Sequence, residues 1–271
     1  MEVPARIHVL LAKDSPQALV IRRGPSKQTA IIGWNRKDDS FRVGQWIKGK
    51  VYHYRSDISP NGRYWIYFTM SRKADTWTAV ATVPYFKAID FYEKNDAWYG
   101  GGLFVSDKVY WLNDDERIFK GQQVRKESSF IVENNTSNPY NLSSECAGIY
   151  STRLLRDGWV KIGEHESGRA GFIRFSKKVN AHWSLVKIFH GTIDHPVGKG
   201  VYYEEHELVD FKTGRVFCFP DWEWADVESK RILWAEKGKI MAGRVTAKGL
   251  EGIKELYDTN PLKFMEIVAP Y

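Results

Sequence analysis

Apolar residues fall along the whole chain in short runs of strand length, many alternating with polar positions, and each run ends in turn chemistry. The first group reads Ile7–Leu11, Ala18–Ile21, Ala30–Trp34 and Phe41–Ile47, broken by Asp14-Ser15-Pro16, Gly24-Pro25-Ser26 and residues 35–40. A second follows with Val51–Tyr54, Tyr64–Met70, Trp77–Val83 and Phe86–Tyr92. The third contains Gly101–Val105, Val109–Leu112, Arg117–Phe119 and Phe130–Val132. After a polar stretch at 133–145 come Ile149–Leu155, Trp159–Ile162, Gly171–Phe175, Trp183–Phe189 and Tyr202–Phe211. The last group is Val216–Phe219, Trp222–Ala225, Arg231–Glu236, Lys239–Val245 and Phe264–Val268. Only Gly249–Tyr257 hints at a helix.

Strands therefore arrive about four at a time, every roughly 45–60 residues, which is the rhythm of a repeating supersecondary unit. Within the second group, the segment from His53 to Phe68 carries Ser56-Asp57-Ile58-Ser59-Pro60-Asn61-Gly62 followed at once by apolar residues. Pro60 presets φ for a turn, and Asn61-Gly62 tolerates positive φ. This segment resembles the blade signature of TolB-type propellers, and Asp221–Trp234 resembles a degenerate copy with Glu228-Ser229-Lys230 in place of the Pro-Asn-Gly turn. The resemblance implies an all-β β-propeller of about five four-stranded blades forming a single domain over 1–271, with an insertion within 146–215. Strands from the two termini, Ile7–Leu11 and Phe264–Val268, are expected to close the ring and so remove its sheet edges.

Aromatic residues make up 14% of the 271, with eleven tryptophans, which suits pleated, half-buried surfaces. Trp46, Trp65, Trp98, Trp111, Trp159, Trp183 and Trp234 are expected to pack between sheets. The formal charge is +7, but residues 1–80 alone carry 14 Lys and Arg against 6 Asp and Glu. That basic third suits a polyanion, an acidic protein or ordinary solvation. Cys146 and Cys218 are too few for a disulfide framework or a four-cysteine zinc site, and Cys218 reads as a buried thiol. No signal peptide or membrane-spanning run is visible, so a cytoplasmic setting is expected. The Asn-x-Ser/Thr sequons at 134–143 then read as a polar loop.

Chemistry-bearing motifs are incomplete. His190-Gly191-Thr192-Ile193-Asp194-His195 lacks the second histidine of a metallo-β-lactamase-like box, and His206-Glu207-Leu208-Val209-Asp210 lacks the second histidine of a zincin. On a strand, Glu205 and Glu207 would share one face and His206 the other. Gly100-Gly101-Gly102 lacks the spacing of a phosphate loop. No cofactor or metal site is expected. Five-bladed propellers include glycoside hydrolases, and Asp57 and Asp226, near the ends of presumed innermost strands, are the carboxylate pair such an enzyme would use. Trp34, followed by Asn35-Arg36-Lys37, suits an exposed aromatic anchor beside cations. The expectation is a non-catalytic protein-interaction scaffold or accessory subunit bound to an unidentified protein. A carbohydrate-binding or glycoside-processing funnel is the alternative, and nucleic-acid binding by the basic third is the second alternative. Candidate contact residues are Trp34, Arg36, His53, Arg55, Asp57, Trp98 and Asp226.

Overall fold

A computed structural model describes residues 4–24, 28–94, 96–114, 124–133, 146–167 and 170–271. The expected strand at Arg117–Phe119, the turn at Pro25-Ser26 and the sequon loop at 134–143 lie outside the described residues. The fold is all-β with five sheets, each open. Contacts divide the chain into two compact units, a larger one of His8–Arg153 with Leu262–Tyr271 and a smaller one of Leu154–Pro261 with the chain start through Ile7.

β1 (Arg6–Leu11), β2 (Gln17–Arg23), β3 (Thr29–Asn35) and β4 (Ser40–Ile47) form an antiparallel meander that belongs to the larger unit from His8 onward. The second sheet is built on β5 (Gly49–Val51), β6 (Asp57–Ile58), β7 (Tyr64–Ser71), β8 (Thr76–Thr82) and β9 (Ala88–Lys94). The third holds β10 (Gly102–Ser106) and β11 (Val109–Leu112). Two later segments depart from four strands per sheet: β12 (Val124–Lys126) returns to pair with β9, and β13 (Ile131–Glu133) runs parallel to β11.

The alternation of β7 explains how these sheets stack. Trp65 and Tyr67 enter one apolar cluster with Leu19, Ile21 and Ile31 of the first sheet, while Ile66 enters another with Phe104 and Tyr110 of the third. Successive side chains of one strand thus bury both faces of the second sheet. Trp65 and Tyr67 satisfy their polar ends on the carbonyls of Tyr85 and Phe86, at 2.8 and 2.6 Å.

The smaller unit contains a five-stranded meander of β14 (Val160–Ser167), β15 (Ala170–Lys178), β16 (Trp183–Thr192), β17 (Tyr202–Asp210) and β18 (Val216–Phe219). A four-stranded one follows with β19 (Trp224–Glu228), β20 (Arg231–Glu236), β21 (Lys239–Thr246) and β22 (Gly249–Asp258). Phe219, Trp222 and Trp234 stack in series, with centroids 3.9 and 4.7 Å apart.

Several expectations are corrected. Ile149–Leu155 lies not in a strand but in α1 (Cys146–Arg156), because Cys146, Ile149, Tyr150, Arg153 and Leu154 are buried at helical spacing. Gly158, at φ 86°, takes the left-handed conformation just after that helix, where the Trp159 N–H donates to the Leu154 carbonyl. Gly249–Tyr257 belongs to edge strand β22, where Gly249 and Gly252 disfavour helix and two register shifts bend the pairing.

Phe264–Val268 forms no strand, so among the described residues no sheet contains strands from both chain ends. The tail is held by side chains instead of a ladder: Gln45 Nε2 donates to the Ile267 carbonyl at 2.7 Å, and Phe264 meets Trp46 edge-on. Cys218 is exposed because β18 is an edge strand, and Trp98 is 66% exposed in the loop after β9. No described helix is long and apolar enough to cross a membrane.

Candidate interaction cleft

The Ser59–Gly62 turn is knotted by its own side chains before it meets anything else. The Ser59 hydroxyl donates to Asn61 Oδ1, and Asn61 Oδ1 also accepts the Arg63 N–H, both at 2.9 Å. The turn then docks on the first sheet. Asp14 N donates to the Pro60 carbonyl and Ser15 Oγ to the Asn61 carbonyl, each at 2.9 Å. Gly62 sits at φ 75°, and a Cβ there would meet Gln17 Cβ at 2.4 Å, so both conformation and closeness require glycine.

This docking leaves a cleft of about 490 Å³ whose lining includes Gln17, Asn35, Ser40, Arg42, Arg63 and Pro84. Arg42 stands on β4 opposite Gly33, and Arg63 leads into β7. Both arginines are exposed, and each lies over an aromatic ring, Arg42 above Tyr85 at 5.7 Å and Arg63 above Tyr64 at 5.2 Å. Neither guanidinium has a hydrogen bond or ion pair among the described residues, and no carboxylate lines the cleft. The nearby acids have other work: Asp38 accepts from Ser40 N and Oγ, Asp39 from Trp34 Nε1, and Asp107 from Asn61 N.

The expected contact residues fall in three places. Trp34 and Arg36 flank Asn35 of the cleft, but neither is an exposed anchor. Trp34 is fully buried, stacked on Phe41 at 5.3 Å. Arg36 clamps the carbonyls of Ala12, Ser15 and Pro16 at 2.8, 2.5 and 3.1 Å.

His53, Arg55, Asp57 and Trp98 gather elsewhere in the larger unit, where the first three are buried. Arg55 donates to the carbonyls of Ala97, Trp98 and Tyr99 at 2.7–3.2 Å, and its Nε reaches Cys146 Sγ at 3.2 Å. Asp57 accepts the Phe104 N–H at 2.7 Å. Arg153 donates to the carbonyls of His53 and Ser56. Burial, reinforced by Arg23, Arg153 and Lys50, holds the His53 imidazole well below the ordinary histidine value, so it is neutral. Gly101 is needed here because a Cβ would fall 2.1 Å from the Arg55 carbonyl oxygen.

Asp226 lies in the smaller unit, paired with Lys177 at 2.7 Å and near Trp159 Nε1 at 3.4 Å. By strand parity it shares a side with Trp224. Asp57 and Asp226 are thus each engaged internally, Asp57 in the larger unit and Asp226 in the smaller. The strand reading of 203–207 has the alternation observed: His206 is buried with Glu204, whereas Glu205 and Glu207 pair with His190 and Arg174.

Glu204, Lys187 and His206 form a fully buried cluster, Glu204 Oε2 lying 2.6 Å from Lys187 Nζ and 3.3 Å from His206 Nε2. Burial opposes ionisation of Glu204, but Lys187 and His206 outweigh it and bring its value down to about 2. No group of three or more His, Cys, Asp or Glu among the described residues is arranged to hold a metal.

Sequence reasoning missed Arg42 and Arg63. The one local signal was Arg63 following a Pro-Asn-Gly turn; the surface that receives the turn is encoded some 45 residues earlier, at Asp14 and Ser15.

No family model matches the chain, and no curated protein matches it. A similar solved structure is an uncharacterized protein from Listeria monocytogenes EGD-e, at 11% identity and a TM-score of 0.28. The match covers 94% of this chain and 66% of that one.

Proposed function

We propose that this chain is a non-catalytic protein-interaction module of β-propeller type. One observation carries the functional half: the acids of the candidate set, Asp57 and Asp226, are engaged internally and its imidazole, His53, is buried, while the open cleft presents two guanidiniums with no hydrogen bond or ion pair among the described residues. A general acid or nucleophile must reach substrate, and Asp57, His53, Glu204 and His206 are all fixed inside the protein. The propeller half is supported by meander sheets that follow one another along the chain and, in the larger unit, by three sheets packed face to face. Such a framework offers rigid loops, which suits recognition without chemistry.

Affinity capture of the tagged full-length chain from its native host, followed by mass spectrometry, tests this. A stoichiometric protein partner is expected. Absence of any partner, together with turnover of a glycoside substrate by the purified chain, would overturn the reading.

A further inference from the structure

We infer that the cleft between the Ser59–Gly62 turn and the β3–β4 edge binds an acidic peptide segment of a protein partner. The inference rests on the interaction-module reading above and names the contact surface. Two guanidiniums offer planar, permanently charged forks that match carboxylates, and Arg42 and Arg63 are held over tyrosine rings instead of being neutralised. Asn35, Ser40 and Gln17 add amide and hydroxyl groups along the same lining, and Phe41, Val83 and Pro84 add apolar wall. A lone phosphate would leave most of a 490 Å³ space unfilled, whereas a peptide bearing carboxylates and an apolar side chain uses both kinds of lining. The walls are rigid, since the turn is tied to Asp14 and Ser15 and the Pro84 carbonyl accepts the Gln45 N–H at 3.1 Å. A pre-formed site loses little entropy on binding.

Fluorescence anisotropy with the full chain tests this, using a labelled peptide of alternating glutamate and leucine, its glutamine counterpart, and inorganic phosphate as competitor. Saturable binding of the glutamate peptide is expected, weakened roughly tenfold or more in R42Q, in R63Q and in the glutamine peptide. Both arginines are exposed, so unchanged melting curves should accompany the loss. No saturable binding, or binding indifferent to R42Q and R63Q, overturns the inference. Displacement of the peptide by phosphate at comparable concentration overturns it too, and assigns the cleft to a free anion. If a stoichiometric captured partner is retained equally by R42E/R63E, the module stands and the cleft assignment falls. If the peptide binds through both arginines but no partner is captured and the purified chain turns over a glycoside, the acidic-peptide preference of the cleft stands and the module reading falls.

Discussion

The two units place buried charge differently. In the larger unit the buried or half-buried arginines serve main-chain carbonyls: Arg55 holds residues 97–99, Arg36 the loop at 12–16, and Arg153 the His53–Ser56 turn. In the smaller unit, lysines pair with carboxylates: Lys187 with Glu204, and Lys177 with Asp226, both lysines lying over Trp159 at 5.1 and 5.7 Å. A guanidinium on a carbonyl does not titrate in the working range, whereas a buried carboxylate pair exists only while the acid is ionised. The larger unit does contain one fully buried pair of the second kind, Lys94–Asp114, so the contrast lies in which residues dominate.

The sharpest way to break that contrast is to delete one partner. Glu204→Ala leaves Lys187 buried without its carboxylate and should cost about 3–5 kcal/mol. Hydrogen exchange resolved by unit should show the loss in the smaller unit. The double change K187M/E204L should recover most of it, since the desolvation penalty then disappears from both sides. A cost under about 1 kcal/mol for Glu204→Ala would mean the pair contributes little.

Acid should produce the next largest effect. Glu204 is held near 2 against an ordinary value of about 4.5. Its contribution is complete above pH 4.5 and lost as pH falls through 2, on the order of 3 kcal/mol across that window. Urea unfolding followed from pH 6 to 2 should show this decline in the smaller unit and not in Glu204→Gln, which has no carboxylate to protonate.

Arg55→Lys probes the other side. A lysine keeps the charge and can donate to the carbonyls around Arg55 Nη1, but it has no second nitrogen for Cys146 Sγ and no planar group to lie over Tyr52 and Phe68, so a loss of about 2 kcal/mol is expected in the larger unit. A stability unchanged within error would show that charge alone, without the planar fork, holds the 97–99 loop.

The local pattern made the strands legible, since alternation, turn residues and β-branched runs are properties of neighbours in sequence. It misled where two periods fit one segment. Ile149, Tyr150, Leu154 and Leu155 read as an apolar strand, yet buried Arg153 and Cys146 complete a helical stripe that an apolar count leaves out. In Gly249–Asp258 the reverse held: Leu250, Ile253 and Tyr257 are spaced like a helix face, but pairing with β21 prevails. Of the candidate site, the Pro-Asn-Gly turn was visible and its destination was not. Trp34 beside Arg36 and Lys37 resembled a surface anchor, because sequence does not record that Asp39 returns to accept the indole N–H or that Phe41 covers the ring.

The smallest expected effect concerns His53, which gives the larger unit an acid response of its own. Its imidazole is buried beside His8 and Tyr54, with ring centroids 4.6 and 4.0 Å away, and the charges nearest it are the cations Arg23, Arg153 and Lys50. The folded protein therefore keeps His53 neutral, while the unfolded chain protonates it near pH 6.5. Because the unfolded state binds the extra proton, stability falls as pH drops below about 6.5, by at most about 1.4 kcal/mol per pH unit until the depressed folded value is reached. His206 is lowered by burial in the same way, so the smaller unit shares this slope and adds the Glu204 step below it. His53→Asn should flatten the response of the larger unit between pH 6.5 and 5 and leave that of the smaller unit unchanged. If both units keep their slopes in His53→Asn, the imidazole is protonated in the folded state and a group facing it must carry a compensating negative charge.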